Sequence, residues 1–238
     1  MRIAITDNMG AEHKLRLYQD WIHRTNPLVE LVTISYTREN ISELETCSGV
    51  LLTGGGDVDP ILYGGKPHPK IYGIDRKRDD FERRVIDAAM ANDLPLLGVC
   101  RGLQIGNVYF GGTMLADIAD AGYRSHETKM EPETRHAVAL TQGTLLDGIE
   151  NSASGDINSY HHQAAAGIGK DLRVSARSDD GIVEAIEFAD ISRHPFFLLI
   201  QWHPERMKDT DNRLSGGVLD AFLTCCKRFH NETLVANR

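Results

Sequence analysis

Residues 94–112 read LPLLGVCRGLQIGNVYFGG, and the reading of the whole chain works outward from them. Leu96, Leu97, Gly98 and Val99 form a short apolar run of the kind that fills a buried strand. It runs into Gly98-Val99-Cys100-Arg101-Gly102, a cysteine with a glycine two positions away on each side. From Arg101 onward, Leu103, Ile105, Gly106, Val108 and Tyr109 suit a helix packed on a sheet. The stretch therefore predicts strand, sharp turn and helix, with Cys100 on the turn at the helix N-terminus.

A side chain perched on a tight strand-to-helix turn needs neighbours without Cβ atoms, which is why a nucleophilic serine commonly sits in G-x-S-x-G. Here sulfur stands where oxygen would. A free thiol titrates near ~8.5, and the positive end of a helix dipole with its unpaired N–H groups favours the thiolate. A structural cysteine merely buried behind a central strand has no need of glycine on both sides, so Cys100 reads as a nucleophile.

With 238 residues and 41% hydrophobic content, the chain is expected to form one α/β domain over residues 1–238. A formal charge of −8, with no dense basic run, opposes a nucleic-acid partner. The N-terminus enters a strand at once, without a signal core, and no 18-residue apolar span occurs, so the expectation is a cytoplasmic protein with no membrane association. Cys47, Cys100, Cys225 and Cys226 form no CxxC pair and no regular framework, which fits a reducing compartment.

On the N-terminal side, residues 2–6 read as a strand, 12–22 as a helix, 29–34 as a strand, 39–44 as a short helix and 49–53 as a third strand. This alternation predicts a doubly wound, mostly parallel sheet with helices on both faces. The third strand ends in Thr53-Gly54-Gly55-Gly56-Asp57-Val58-Asp59-Pro60. Bare glycine N–H groups at a strand end can converge on an anion as half of an oxyanion hole, and Asp59-Pro60 has the pattern of an N-cap followed by proline at the first helical position. Neither glycine cluster supplies G-x-G-x-x-G or a P-loop. Residues 64–75 lack any period and read as a loop near the site. Residues 79–92 read as a helix with Phe81, Val85, Ile86 and Ala89 inward, and Asp75, Arg76, Arg78 and Glu82 are expected on a solvated face, in ion pairs of small value.

On the C-terminal side, residues 113–118 are expected to close the central helix, 121–135 to form a substrate-facing flap and 136–140 a strand. Residues 158–163, NSYHHQ, contain adjacent histidines. Neighbours in extended chain point to opposite faces, and neither HExxH nor a cysteine set accompanies them, so no metal is assigned; one histidine should line a pocket and the other sit elsewhere. Residues 172–176 and 182–187 read as a strand pair turning at Asp179-Asp180-Gly181, with Glu184 and Glu187 read as exposed strand carboxylates. Residues 196–201 form another apolar strand ending in Trp202-His203-Pro204-Glu205, and residues 218–229 a closing helix. The residue before proline is pushed toward extended geometry, where i and i+2 project alike, so Glu205 can hydrogen-bond His203 and leave its other nitrogen for a thiol proton.

Five stretches, LLTGGGDVDP with YGG after it, GVCRGLQIGNVYFGGTMLADI, NSYHHQ, DGIVEAIE and QWHPE, together resemble the class I glutamine amidotransferase-like superfamily. More narrowly, they resemble its γ-glutamyl hydrolase (peptidase C26) branch, which includes bacterial γ-glutamyl-γ-aminobutyrate hydrolases. The resemblance implies Cys100 as nucleophile, His203 as acid and base, Glu205 as its orienting carboxylate, and oxyanion donors from the backbone of Gly55 or Gly56 and of Arg101. Gln104, Ser159, Tyr160, His161 and His162 are the candidate substrate-binding residues. It also implies cleavage of a small γ-glutamyl amide through a thioester, with no metal or organic cofactor. The sequence departs from the family at Arg24-Thr25-Asn26-Pro27 and Leu31-Val32-Thr33, where an Ala-Gly-Gly turn and a Pro-Val-x-Leu-Pro strand are common, and at Ala116-Asp117-Ile118 in place of Gln-Asp-Ile. The chemistry therefore carries over more safely than the specificity. A glutaminase subunit feeding ammonia to a separate synthase is the first alternative, and a catalytically silent binding or regulatory domain the second, disfavoured by retention of Cys100, His203 and Glu205. A homodimer and a synthase partner both remain open.

Overall fold

The computed structural model describes residues 1–129, 132–209 and 211–236. The elements are β1 (Arg2–Thr6), α1 (Glu12–Thr25), β2 (Glu30–Ile34), β3 (Val50–Leu52), α2 (Arg76–Ala91), β4 (Leu96–Val99), α3 (Arg101–Tyr109), β5 (Met114–Leu115), β6 (Arg135–Leu140), α4 (Leu145–Glu150), β7 (Ser154–Asn158), β8 (Ala164–Ala165), β9 (Leu172–Ser178), β10 (Val183–Phe188), β11 (Phe197–Ile200) and α5 (Gly216–Ala236). Short 3-10 turns occupy Ile41–Thr46, Pro60–Tyr63, Ile191–Arg193 and Pro204–Arg206.

Nine strands form one sheet in the order β2-β1-β3-β4-β11-β10-β9-β6-β7. The run from β2 to β11 is parallel, and from β11 onward the pairings are antiparallel. β5 and β8 pair separately. Strand alternation splits the apolar side chains between two cores. Ile3 and Ile5 of β1 and Leu198 and Ile200 of β11 join α1 and α5 on one face. Ala4, Phe197 and Leu199 join α2 and α3 on the other. Each fully buried aliphatic side chain of this kind contributes about 1.5–3 kcal/mol, and helices on both faces make the sheet doubly wound. Among the described residues no helix is long and apolar enough to cross a membrane.

Local chemistry accounts for the boundaries that differ from expectation. α2 begins at Arg76 because the Asp75 carboxylate caps it, accepting from the N–H groups of Lys77 and Arg78 at 3.1 Å each. The helix expected at 39–44 is a 3-10 turn. Residues 113–118 do not close α3; Gly111, at φ 83°, ends it and the chain enters β5. Asp59 does cap the Pro60–Tyr63 turn, its side chain accepting from Ile61 N–H at 3.0 Å. Glu184 and Glu187 are not exposed but buried, because β10 is covered on both faces.

β3, β4 and β11 lie side by side and parallel, so their carboxyl ends open on one crevice. Ligands of open α/β sheets bind in such crevices.

Candidate active site

Cys100 leaves β4 with φ 54° and ψ −103°, a conformation that costs a residue with a Cβ of order 1–3 kcal/mol. The strain is held by Cys100 N–H donating to Ile200 O at 2.7 Å and by Leu103 N–H donating to Cys100 O at 3.0 Å. The flanking glycines are required by packing. A Cβ on Gly102 would lie 2.6 Å from Leu52 O, and one on Gly98 would lie 2.6 Å from Leu199 Cδ2. G-x-C-x-G is thus the pattern of a helix start pressed onto two neighbouring strands. Cys100 itself is only 8% exposed, and all four cysteines are free.

The next strand, β11, delivers His203, whose Nδ1 lies 2.6 Å from Glu205 Oε1 and whose ring feels the charge of the neighbouring Cys100 sulfur. The carboxylate arrives on a 3-10 turn begun by Pro204, so the pair forms through a tight turn and not through the extended chain expected from the sequence. Asn158, at the end of β7, clamps the same residue: its Nδ2 donates to His203 O and its Oδ1 accepts from His203 N–H, both at 2.9 Å. Burial alone would lower the pKa of His203, but the Glu205 carboxylate and the Cys100 sulfur outweigh it and raise the value to about 9. The imidazole is therefore cationic at neutral pH.

The third strand, β3, delivers the glycine loop. Gly54 N–H is committed to the Tyr18 hydroxyl at 3.0 Å, and burial, reinforced by Glu205 and Cys100, holds that phenol well above its ordinary pKa and so protonated. Gly55 is exposed and Gly56 half-buried. Among the described residues, neither their N–H groups nor that of Arg101 donates to a protein acceptor.

Behind the loop lies a charged network, two of whose members, Arg78 and Glu82, were expected on a solvated face. Arg78, Asp79, Glu82 and Arg101 are all buried. The Arg101 guanidinium pairs with Asp79 and Glu82, while Arg78 donates to Glu82 Oε1 at 2.8 Å and to Gly54 O at 2.9 Å. Burial pulls the Arg101 guanidinium below its usual value and pushes the Asp79 carboxyl up. The network ties α2, α3 and the glycine loop together. Its signal was present: positions 78, 82, 85 and 89 form one helical stripe, so Arg78 and Glu82 lie on the buried face. Arg76 is exposed as expected, paired with Asp59.

The NSYHHQ histidines do diverge. His162 Nε2 lies 3.1 Å from Asp57 Oδ1, just past the glycines, and its ring stacks on Tyr72 at 5.0 Å. His161 turns the other way, Nε2 3.5 Å from Glu184. Tyr160 meets the His203 ring edge-on at 5.7 Å and donates to Glu133 Oε2 at 2.9 Å. Ser159 Oγ donates to His126 O at 2.7 Å, and Gln104 Nε2 to Gln201 Oε1 at 3.4 Å, both in the interior. Of the five candidate substrate residues, then, Tyr160 and His162 flank His203 and the glycine loop, whereas Gln104, Ser159 and His161 are engaged inside. The expected flap is partly packed: His126 is buried, and residues 130–131 lie outside the described residues. Tyr18, Asn158 and Asp57 are neighbours of the site that the sequence did not single out.

The sheet order and the strand-end arrangement are those of the class I glutamine amidotransferase fold. A Thermoplasma acidophilum protein provisionally titled as part of a GMP synthase superposes with TM-score 0.66 at 17% identity, over 98% of this chain and 97% of that one. The chain belongs to the peptidase C26 family, whose sequence profile matches residues 6–205, and is thus a glutamine amidotransferase-like hydrolase. It is 38% identical over 179 residues, 73% of each chain, to a protein of Lactococcus lactis subsp. lactis carrying the provisional name glutamine amidotransferase-like protein YvdE. It is 32% identical over 194 residues, 77% of this chain and 74% of the other, to gamma-glutamyl-gamma-aminobutyrate hydrolase PuuD of Escherichia coli.

Proposed function

We propose that the protein is a cysteine-dependent hydrolase that cleaves the γ-glutamyl amide bond of a small γ-glutamyl compound through a γ-glutamyl thioester. The observation that carries this reading is the line from strained Cys100 to cationic His203 to Glu205, drawn from the adjacent ends of β4 and β11. Similarity to PuuD supports the γ-glutamyl class of substrate.

In the proposed reaction the Cys100 sulfur attacks the γ-carbonyl carbon. The carbonyl oxygen takes the negative charge, held by N–H groups of Arg101 and of Gly55 or Gly56. The C–N bond then breaks as His203 gives its proton to the departing amine, leaving the thioester. Water attacks that carbonyl while His203 takes its proton, the C–S bond breaks, and glutamate leaves with the sulfur and imidazolium restored. Glu205 supports the positive ring throughout.

The test is incubation with a panel of γ-glutamyl compounds, including glutamine, while glutamate, free amine and ammonia are measured. Equimolar glutamate and amine from the wild type, and none from Cys100→Ala, is expected. Absence of glutamate from every compound, or an unchanged rate in Cys100→Ala, would overturn the reading.

A further inference from the structure

Away from Cys100, four buried side chains from four separate segments converge. His126 precedes β6, His136 is on β6, His161 follows β7 and Glu184 is on β10. One donor atom from each lies within 4.8 Å of all the others. Glu184 Oε1 is 3.2 Å from His126 Nδ1, 3.5 Å from His161 Nε2 and 3.6 Å from His136 Nε2.

None of these four atoms, nor Glu184 Oε2, makes a hydrogen bond. A buried polar atom left this way costs about 1–3 kcal/mol, and a group of them in one place calls for a ligand. The spacing identifies its kind. Donors bound at 2.0–2.1 Å around a tetrahedral zinc stand ~3.4 Å apart, close to the three separations to Glu184 Oε1.

The outward-facing nitrogens are arranged to match. His126 Nε2 lies 3.2 Å from both carboxylate oxygens of Asp180, His161 Nδ1 lies 2.9 Å from Gln163 O, and His136 Nδ1 lies 3.2 Å from Ala137 O. An acceptor on the far nitrogen fixes the tautomer that leaves the inner nitrogen's lone pair for a metal.

We propose that His126, His136, His161 and Glu184 bind one divalent first-row transition cation, zinc by geometry, in a closed four-coordinate site. Three imidazoles and a carboxylate, with no thiolate, are suited to zinc, and four protein donors leave no position for a substrate water, so the role is structural. The ion joins the segment before β6 to β6 and β10. It also fixes the stretch that holds the candidate active site: Ser159 Oγ and His161 N–H both donate to His126 O, and Asn158 clamps His203.

The proposal is tested on tag-free protein stripped with chelator, reloaded with Zn2+ or Co2+ and freed of excess metal. Expected are stoichiometric zinc by elemental analysis, a Tm that rises on reloading and falls on stripping, and a cobalt spectrum with strong tetrahedral visible bands but no thiolate charge-transfer band. Glu184→Gln should lose the bound ion. Asp180→Asn, which keeps all four ligands, should weaken affinity ~10–100-fold. Should Glu184→Gln fail to fold, the wild-type stoichiometry and cobalt spectrum decide the matter. Substoichiometric zinc after loading, a cobalt spectrum dominated by thiolate bands, or a Tm indifferent to metal would each overturn the site and leave the histidines sharing protons around Glu184.

Discussion

Glu205 and Cys100 together set the charge of His203. The carboxylate and, after it, the sulfur hold the imidazole protonated, with a pKa of about 9, and Cys100 itself sits on a strained turn at the end of the neighbouring strand. Replacing Cys100 by alanine deletes one atom from a buried position, so the variant should keep the wild-type Tm while turnover falls by ~10²-fold or more; a large drop in Tm would mean that the thiol is a packing residue. The raised histidine also predicts a pH dependence. Its folded pKa lies above the ordinary ~6.5, so its contribution to stability is complete below about 6.5 and is lost as pH rises through about 9. The proton given to the amine disappears over the same range, and kcat/KM should fall along an alkaline limb near 9. Glu205→Gln removes the largest upward influence and should move that limb to lower pH. An unmoved limb would assign it to another group.

Among the elements, α2 and α3 act as one support. Arg101 reaches from the start of α3 to Asp79 and Glu82 on α2, and Arg78 continues from α2 to the carbonyl of Gly54. Glu82→Ala would leave two buried arginines under-compensated and should destabilise the protein by ~3–5 kcal/mol in urea unfolding. A loss below 1 kcal/mol, on the order of an exposed ion pair, would show that these arginines find water. Gly102→Ala tests the other support, since its methyl would meet Leu52 O; a loss of ~1–3 kcal/mol, with turnover reduced further by the displaced elbow, is expected. These elements also show what was legible in the sequence. Periodicity revealed α2, β4, α3 and β11, and proximity along the chain revealed His203 with Glu205, because local patterns report local structure. The burial of Arg78 and Glu82 depends on α3 covering that face of α2, and the convergence of His126, His136, His161 and Glu184 depends on antiparallel pairings of β6 with β7 and β9, and of β9 with β10. The helical stripe 78-82-85-89 records the first, whereas no fixed spacing records the second.

At the scale of the whole molecule, the fold does not separate the proposed hydrolase from a glutaminase subunit, since a protein titled as part of a synthase shares it at 17% identity. The difference is the size of the leaving group. A hydrolase of substituted γ-glutamyl amides must admit an amine larger than ammonia beyond the scissile bond, whereas a glutaminase subunit passes ammonia to its synthase and is idle without it. The segments beside the glycine loop bear on this. Gly73 packs on Gly56, and Tyr72, itself 62% exposed, lies over His162, so residues 64–75 make a wall with one aromatic face still open to solvent. Such a wall suits an organic amine better than ammonia. The purified chain, with no partner added, should therefore release free amine from at least one N-substituted γ-glutamyl compound faster than it releases ammonia from glutamine, and Tyr72→Ala should raise KM for the substituted compound more than for glutamine. Inactivity on every substituted compound, together with glutamine hydrolysis that rises sharply when a co-purifying synthase is added, would reassign the protein to the glutaminase role.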